Sequence, residues 1–435
     1  MKKNIEAIYP LSSTQQRMLF QTLYAPESSV YFLQLTLTVH GNLNRTAFKQ
    51  AWQQVIERHL VLRTLIVLRS GTQPLQLVKK RVQLPWTEYD WRNGEACEQR
   101  LAKFRQADRE QGFIFEQAPL MRCSIMQIAD DMHYFVLSNH HLLMDGWCLP
   151  ILLKEVFTFY ESQQFFSPKP RPYRDYIVWL QEQNLSKAKT FWSKQLQGFT
   201  TPTPFQVDKI PSSDVPKKYL KQSFGLSQAI TEQLQSLAHQ HHLTLNTFVQ
   251  GAWALLLSHY SGNNDIVFGA IVSGRPTDLA GVESMIGLFI NSLPVRVIVA
   301  PELLLLSWLK NLHQKQIERE AYSYTPLVEI QNSSELSSDI PLFESLLIFE
   351  NYPMNQSLNE KGVGSLSISV TQAFDVHHYP ITLFAFVPEN ELKFRISYLS
   401  NRFETDTIIQ MVGHLTTLLE GMTTQPETKQ LGGIS

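Results

Sequence analysis

Residues 31–39 alternate, with Leu33, Leu35, Leu37 and Val39 apolar and Gln34, Thr36 and Thr38 polar between them. That period of two, ending at Gly41, predicts a strand with one buried face. Asn44 then precedes a stretch in which Phe48, Trp52, Val55 and Ile56 recur at helical spacing, so a capped helix is expected to run to about His59. Strands are expected over 62–68, 75–79, 121–128 and 133–138, with a helix over 94–111 among them and another over 150–160. The pattern is that of a mixed sheet with helices packed on it.

Three prolines in Ser167-Pro-Lys-Pro-Arg-Pro172 remove donors and fix the backbone, which places the boundary of a first lobe there. The expected division is 1–172 and 173–435. Beyond it, helices are expected over 173–183 and 186–196, and a second proline-rich loop over 201–216. A strand over 220–226 and two amphipathic helices over 229–241 and 245–260 lead into a strand over 266–272. Strands over 293–299, 345–349, 366–371, 381–386 and 392–398 are expected to complete a second sheet, and a helix over 406–421 closes the chain. No fixed-period repeat is present.

With 435 residues, of which 43% are hydrophobic, the chain has material for two cores. Its 38 Lys and Arg nearly balance its 39 Asp and Glu, so no net field favours nucleic acid or an anionic membrane. Cys97, Cys123 and Cys148 are odd in number and lack metal-type spacing, which argues against a disulfide framework and a zinc site. No apolar run suits a signal peptide or a spanning helix, and a cytoplasmic location is expected.

The segment that carries candidate chemistry is His140-His141-Leu142-Leu143-Met144-Asp145-Gly146, at the end of the 133–138 strand. Neighbouring strand residues point to opposite faces, so one histidine faces a given cavity and the other turns inward; geometry alone allows either assignment. Asp145, near a helix start, is suited to bonding amides or an arginine, and Gly146 to close backbone approach. A satisfied structural pair and a metal site through His140, His141 and Asp145 are the other readings, the latter weakened because the two rings diverge and no further ligand cluster is near.

His140 to Trp147 resembles the signature motif of condensation domains of nonribosomal peptide synthetases. Six further segments match that family in order: Tyr9 to Phe20, Arg58 to Thr64, Pro119 to Cys123, Val272 to Pro276, Ile286 to Arg296 and Leu347 to Pro353. The resemblance implies an α/β fold of mixed sheets in two chloramphenicol acetyltransferase-like lobes, set in a V with a central tunnel. It implies amide bond formation between a donor peptidyl or aminoacyl thioester and an acceptor aminoacyl thioester. Both are presented on phosphopantetheine arms by donor and acceptor peptidyl carrier proteins, next to an adenylation domain, with no cofactor bound by the chain itself and no metal.

By the same resemblance His141 faces the tunnel as the catalytic residue. His140, Asp145 and Gly146 shape its loop, and a salt bridge to Asp145 is expected from Arg63 in preference to Arg58. Backbone near Gly146 is a candidate oxyanion donor. Ser273, Gly274 and Asn291 either line the pantetheine path or only turn the chain. Trp147, also a candidate to line the tunnel, is expected to pack at the helix start in preference to touching substrate, and Phe349 and Tyr352 are expected to serve the core. His141 sets the chain apart from relatives that lose it, and a carrier-docking module without chemistry is the rival reading. The opening motif resembles domains that take a D-configured donor, whereas Ser13 to Arg17 and Phe374-Asp-Val-His-His-Tyr-Pro380 depart from the usual forms and leave that configuration open.

Overall fold

The computed structural model describes residues 4–68, 71–92, 97–162, 168–207, 218–350 and 366–434. They form two compact units. The first comprises Met1–Gln183, Arg275–Ile290 and Tyr352–His377, and the second the three stretches between and after them, Asn184–Gly274, Asn291–Asn351 and His378–Ser435.

In chain order the first unit holds β1 (Ile5–Pro10), α1 (Ser13–Tyr24), β2 (Phe32–His40), α2 (Arg45–Arg58), β3 (Thr64–Val67), β4 (Leu75–Lys79), β5 (Trp86–Asp90), α3 (Cys97–Gln111), β6 (Met121–Ala129), β7 (Met132–His140), α4 (Cys148–Ser162) and α5 (Tyr173–Gln181). The second unit takes α6 (Leu185–Leu196), β8 (Tyr219–Gly225), α7 (Gln228–Gln240), α8 (Leu245–Ser261), β9 (Asp265–Val272), β10 (Asn291–Ile298), α9 (Leu305–Glu320), α10 (Leu327–Asn332) and β11 (Ser345–Glu350). The chain then returns to the first unit for β12 (Ser367–Phe374) and ends in the second with β13 (Ile381–Phe386), β14 (Lys393–Leu399) and α11 (Thr405–Gly421).

The first unit is built on a five-stranded sheet of order β12-β2-β7-β6-β5, in which only β5 runs parallel to its neighbour, beside a small β1-β4-β3 sheet. Asn44 caps α2 as its side chain predicts, with Oδ1 accepting the Ala47 N–H at 3.0 Å. The expected stripe packs on the sheet: Phe48 and Trp52 lie 5.1 and 5.4 Å, centroid to centroid, from Phe135 of β7. Each such buried side chain contributes roughly 1.5–3 kcal/mol. β2 differs from expectation, because its polar face is buried as well. Gln34 donates to Asp108 Oδ2 at 2.6 Å, and Asp108 also accepts from Ser138 and Arg122, so a hydrogen-bonded network from α3 covers that side in place of water.

Two expectations are corrected. The strand expected over 366–371 as part of a second sheet lies antiparallel on β2, from Ser367 opposite His40 to Phe374 opposite Gln34. Its alternation suits an edge strand of either sheet, and the hydroxyl contact of Thr38 with Thr371 and the Arg109 guanidinium 4.4 Å over Phe374 hold it to the first. The first unit also continues past the proline-rich segment through α5, whose Tyr173 and Tyr176 hydroxyls donate to the Leu288 and Phe289 carbonyls of the segment that follows Gly274.

The second unit has a six-stranded mixed sheet of order β10-β9-β11-β13-β14-β8. Helix α8 is buried in its core along an unbroken run from Thr247 to Leu257, and Phe349 is half-buried there. Tyr352 lies outside the described residues.

Candidate active site

His140 is the last residue of β7 and His141 the first beyond it. The His140 ring packs 5.1 Å from Phe115, whereas the His141 ring meets Tyr31 and His377, so the two diverge as strand alternation requires. Both are buried. They do not converge on a common point, and among the described residues no group of three or more His, Cys, Asp or Glu is placed to hold a metal ion.

Their hydrogen bonds fix opposite tautomers. Nδ1 of His141 is 2.9 Å from the Met144 carbonyl, which only accepts, so Nδ1 carries the proton. In the neutral ring that leaves the Nε2 lone pair as a proton acceptor. Nδ1 of His140 instead accepts the Leu142 N–H at 3.1 Å, which leaves Nε2–H to donate to Thr22 Oγ1 at 3.1 Å. The Thr22 hydroxyl in turn donates to the Met18 carbonyl at 2.9 Å. His140 is thus a fully used support, and it holds the turn that positions His141.

Burial keeps both rings neutral. It pushes His140 down to about 3, aided by the neighbouring His141. Burial also lowers His141, offset in part by the charge of Asp375 and reinforced by His377. A histidine depressed in the folded state binds fewer protons there than when unfolded, so its contribution to stability is present above the unfolded value near 6.5 and is lost as pH falls below it. Stability is expected to drop by about 3 kcal/mol from His140 alone between pH 7 and pH 4. Urea unfolding at the two pH values checks this, with His140→Asn expected to flatten the dependence.

Asp145 is buried and does not meet Arg63. The Arg63 guanidinium donates to Glu6 Oε2 and the Lys79 carbonyl at 2.7 Å and to the Lys80 carbonyl at 2.6 Å, tying β1 to the end of β4. Its strand-end position turns it toward the small sheet. Arg58 is likewise used elsewhere, on Glu155. The cation facing Asp145 is Arg275, with Nη2 3.5 Å from Oδ1. Arg275 also donates to the Met285 carbonyl at 3.0 Å and stacks 4.1 Å over Phe289.

Asp145 further accepts the Phe289 N–H at 2.9 Å, and its own N–H donates to the Gly287 carbonyl at 3.1 Å. The histidine loop is thereby clamped to residues 275–290. Gly287 permits this because a Cβ there would stand 2.1 Å from the Tyr173 ring. Cys148, the first residue of α4, completes the clamp with Sγ 3.3 Å from Asp145 Oδ1 and 3.2 Å from the Gly287 carbonyl. Burial raises the thiols of Cys148 and Cys123. One fast-reacting thiol, Cys97, is therefore expected with a maleimide on the native chain, the other two appearing only after unfolding. Intact-mass measurement counts them.

The remaining candidates separate. Trp147, expected to pack, is 39% exposed because it precedes the first turn of α4 and points off the core. Ser273 and Gly274 belong to the second unit, where Ser273 is exposed and Gly274 turns the chain with φ 60°. Asn291, in the same unit, donates Nδ2 to the Ser323 and Thr325 carbonyls at 2.9 and 2.7 Å, which commits its amide to the backbone. Arg275 lies inside a matched motif that carries no hint of its pairing with Asp145, and only packing reveals the pair. His377 stands out in the sequence only as part of the 374–380 segment that departs from the usual form, with no sign that it meets His141.

A two-unit α/β chain with a neutral imidazole on a loop at the end of a central strand defines the class. A family model described as Condensation domain matches residues 5–431, and the chain belongs to that family. It is 41% identical over 435 residues to one of the linear gramicidin synthase proteins of Brevibacillus parabrevis, covering 98% of this chain and 6% of that protein. To surfactin synthase subunit 3 of Bacillus subtilis (strain 168) it is 31% identical over 438 residues, covering 98% of this chain and 34% of that one. The chain thus spans a minor part of these relatives. Among solved structures, the condensation domain of the monacolin K polyketide synthase superposes with TM-score 0.82 at 15% identity, covering 99% of this chain and all of that one. The X-domain from teicoplanin biosynthesis superposes with TM-score 0.82 at 20% identity, covering 98% and 97%. These likenesses establish the fold, and their equal quality means that fold alone does not choose between chemistries.

Proposed function

We propose that this chain joins a donor acyl group to an acceptor amine, both held as thioesters on the phosphopantetheine arms of carrier proteins, with His141 Nε2 as the proton acceptor. The observation that carries the reading is the bond from His141 Nδ1–H to the Met144 carbonyl, which presents a bare Nε2 on a neutral ring.

An acceptor α-amine has an ordinary pKa near 8, so about a tenth is neutral at pH 7 and freeing it costs only about 1 kcal/mol. The base acts later. The amine nitrogen bonds to the thioester carbon, and the carbonyl electrons move onto oxygen. The nitrogen of this intermediate is far more acidic than the free ammonium, so a weakly basic imidazole takes its proton. The oxyanion then re-forms the carbonyl, the carbon–sulfur bond breaks, and the imidazolium returns the proton to the leaving thiolate. Amide and thiol result, and His141 is neutral again. Burial, which makes the imidazolium unstable, favours that return. The N–H groups of Gly146 and Trp147, just ahead of α4, are the donors we assign to the oxyanion.

Partners of this kind accord with relatives that are synthase proteins of several times this length, and an adjacent adenylation domain is part of the same reading. A reducing compartment such as the cytoplasm suits three cysteines that form no disulfide with one another, and no described helix is long and apolar enough to cross a membrane. The test supplies a panel of aminoacyl-pantetheine thioesters on two carrier proteins and reads product by mass spectrometry. A new amide between the two aminoacyl groups supports the proposal. Binding of both carriers with no amide from any pair defeats it and leaves the docking module.

A further inference from the structure

Asp375-Val376-His377, just past β12, has no role in the chemistry above. Backbone bonds nonetheless register it against His141. The Val376 carbonyl accepts the Tyr31 N–H at 3.1 Å, and the Tyr31 carbonyl accepts the His141 N–H at 2.9 Å. Tyr31 makes both bonds with φ 62°, a left-handed conformation costly for a tyrosine and retained only where its surroundings impose it.

The side chains follow that register. The rings of His141, His377 and Tyr31 form a triangle with centroids 6.1 to 6.2 Å apart, each pair meeting edge-on. His377 Nε2 lies 3.2 Å from Asp375 Oδ2 and donates to it, since a carboxylate only accepts. A carboxylate is therefore held one imidazole away from the His141 ring.

Several described groups act on His141. Asp145 stands on its own loop but is matched by Arg275. His140 is neutral on the opposite face. Asp375 and His377, just past β12, act on it as well. When His141 takes the proton of the tetrahedral intermediate, a positive charge appears where water hardly reaches, and it requires an anion nearby.

Resting on the proposed reaction, we infer that Asp375 and His377 are positioning residues for the proton transfer at His141. The Asp375 carboxylate supplies the counter-charge to the imidazolium, and His377 holds that carboxylate in place and walls the ring. Burial lowers the proton affinity of His141 most, and the Asp375 carboxylate opposes it, which is the sense required of a counter-charge.

The test uses the 435-residue chain with 15N-labelled histidines. Asp375→Asn is expected to shift the protonation of His141 to lower pH and His377→Gln to higher pH, as followed by its side-chain nitrogen signals. In turnover with the aminoacyl carriers, Asp375→Asn is expected to lower kcat about tenfold with KM unchanged, and Asp375→Glu to recover most of it. In a His141→Ala background, Asp375→Asn is expected to change nothing further.

Shifts of the same sign in both variants, or an equal tenfold loss with His141 absent, overturn the inference. If Asp375→Asn does not fold, judged by its circular dichroism, the comparison of His377→Gln with Asp375→Glu carries the test. Absence of amide from the unsubstituted chain defeats the proposed function instead, and the nitrogen titration still decides whether these residues govern His141.

Discussion

His141→Ala is expected to reduce amide formation by about 10² to 10⁴ while leaving carrier binding intact. The range follows from what the imidazole does. In the proposed reaction it does not create the nucleophile, since the amine is partly neutral beforehand, and the thioester is already a reactive acyl donor. What is lost is a base fixed in one tautomer by the Met144 carbonyl, at the moment the bonded nitrogen must shed its proton. Single-turnover rates with preloaded carriers isolate this step from carrier exchange. His140→Ala should reach a loss of activity by another route, because it strips the Leu142 N–H and Thr22 of their partner and so moves the turn. A variant of His141 with unchanged single-turnover rate would remove the imidazole from the mechanism.

Asp145→Ala is expected to cost about 3–5 kcal/mol of stability, since it leaves the Arg275 guanidinium buried without its anion. The 3.5 Å separation makes the ion pair itself a modest contact, and much of the loss comes from the Phe289 N–H left without an acceptor. A double-mutant cycle in urea checks the pairing. Asp145→Ala and Arg275→Ala should be strongly non-additive, whereas Asp145→Ala and Arg63→Ala should add, because Arg63 serves Glu6 and the end of β4. Coupling between Asp145 and Arg63 would overturn this assignment.

Much of the fold is legible as pattern. The α2 stripe, its Asn44 cap and the strand ending at His140 are set by local periodicity and capping chemistry, which act over a few residues. α1 and α9 are not among the expected helices, although the Ser12 and Gln15 capping box of α1 and the leucines of α9 carry usable signals. β5 is an edge strand with mostly exposed positions, so it has little alternation to read. Long-range pairings are a different matter. Neither the assignment of β12 to the first sheet nor the choice of Arg275 over Arg63 has a local signature, because both depend on which distant segment fills the space beside a strand. The His141 motif is legible through order and resemblance. Its neighbours Tyr31 and His377 become visible only where backbone bonds draw three distant segments together.

The placement of β12 beside β2 also bears on how the chain is made. The native partner of that side of β2 does not emerge from the ribosome before residue 367, so a nascent chain carries an open strand edge until then. A fragment cut after Gln183 would keep that edge, and it would lack both Arg275 and His377. It should associate through β2 rather than behave as a separable catalytic half. The histidine loop therefore acquires its complete surroundings only once residues 367–377 have been made.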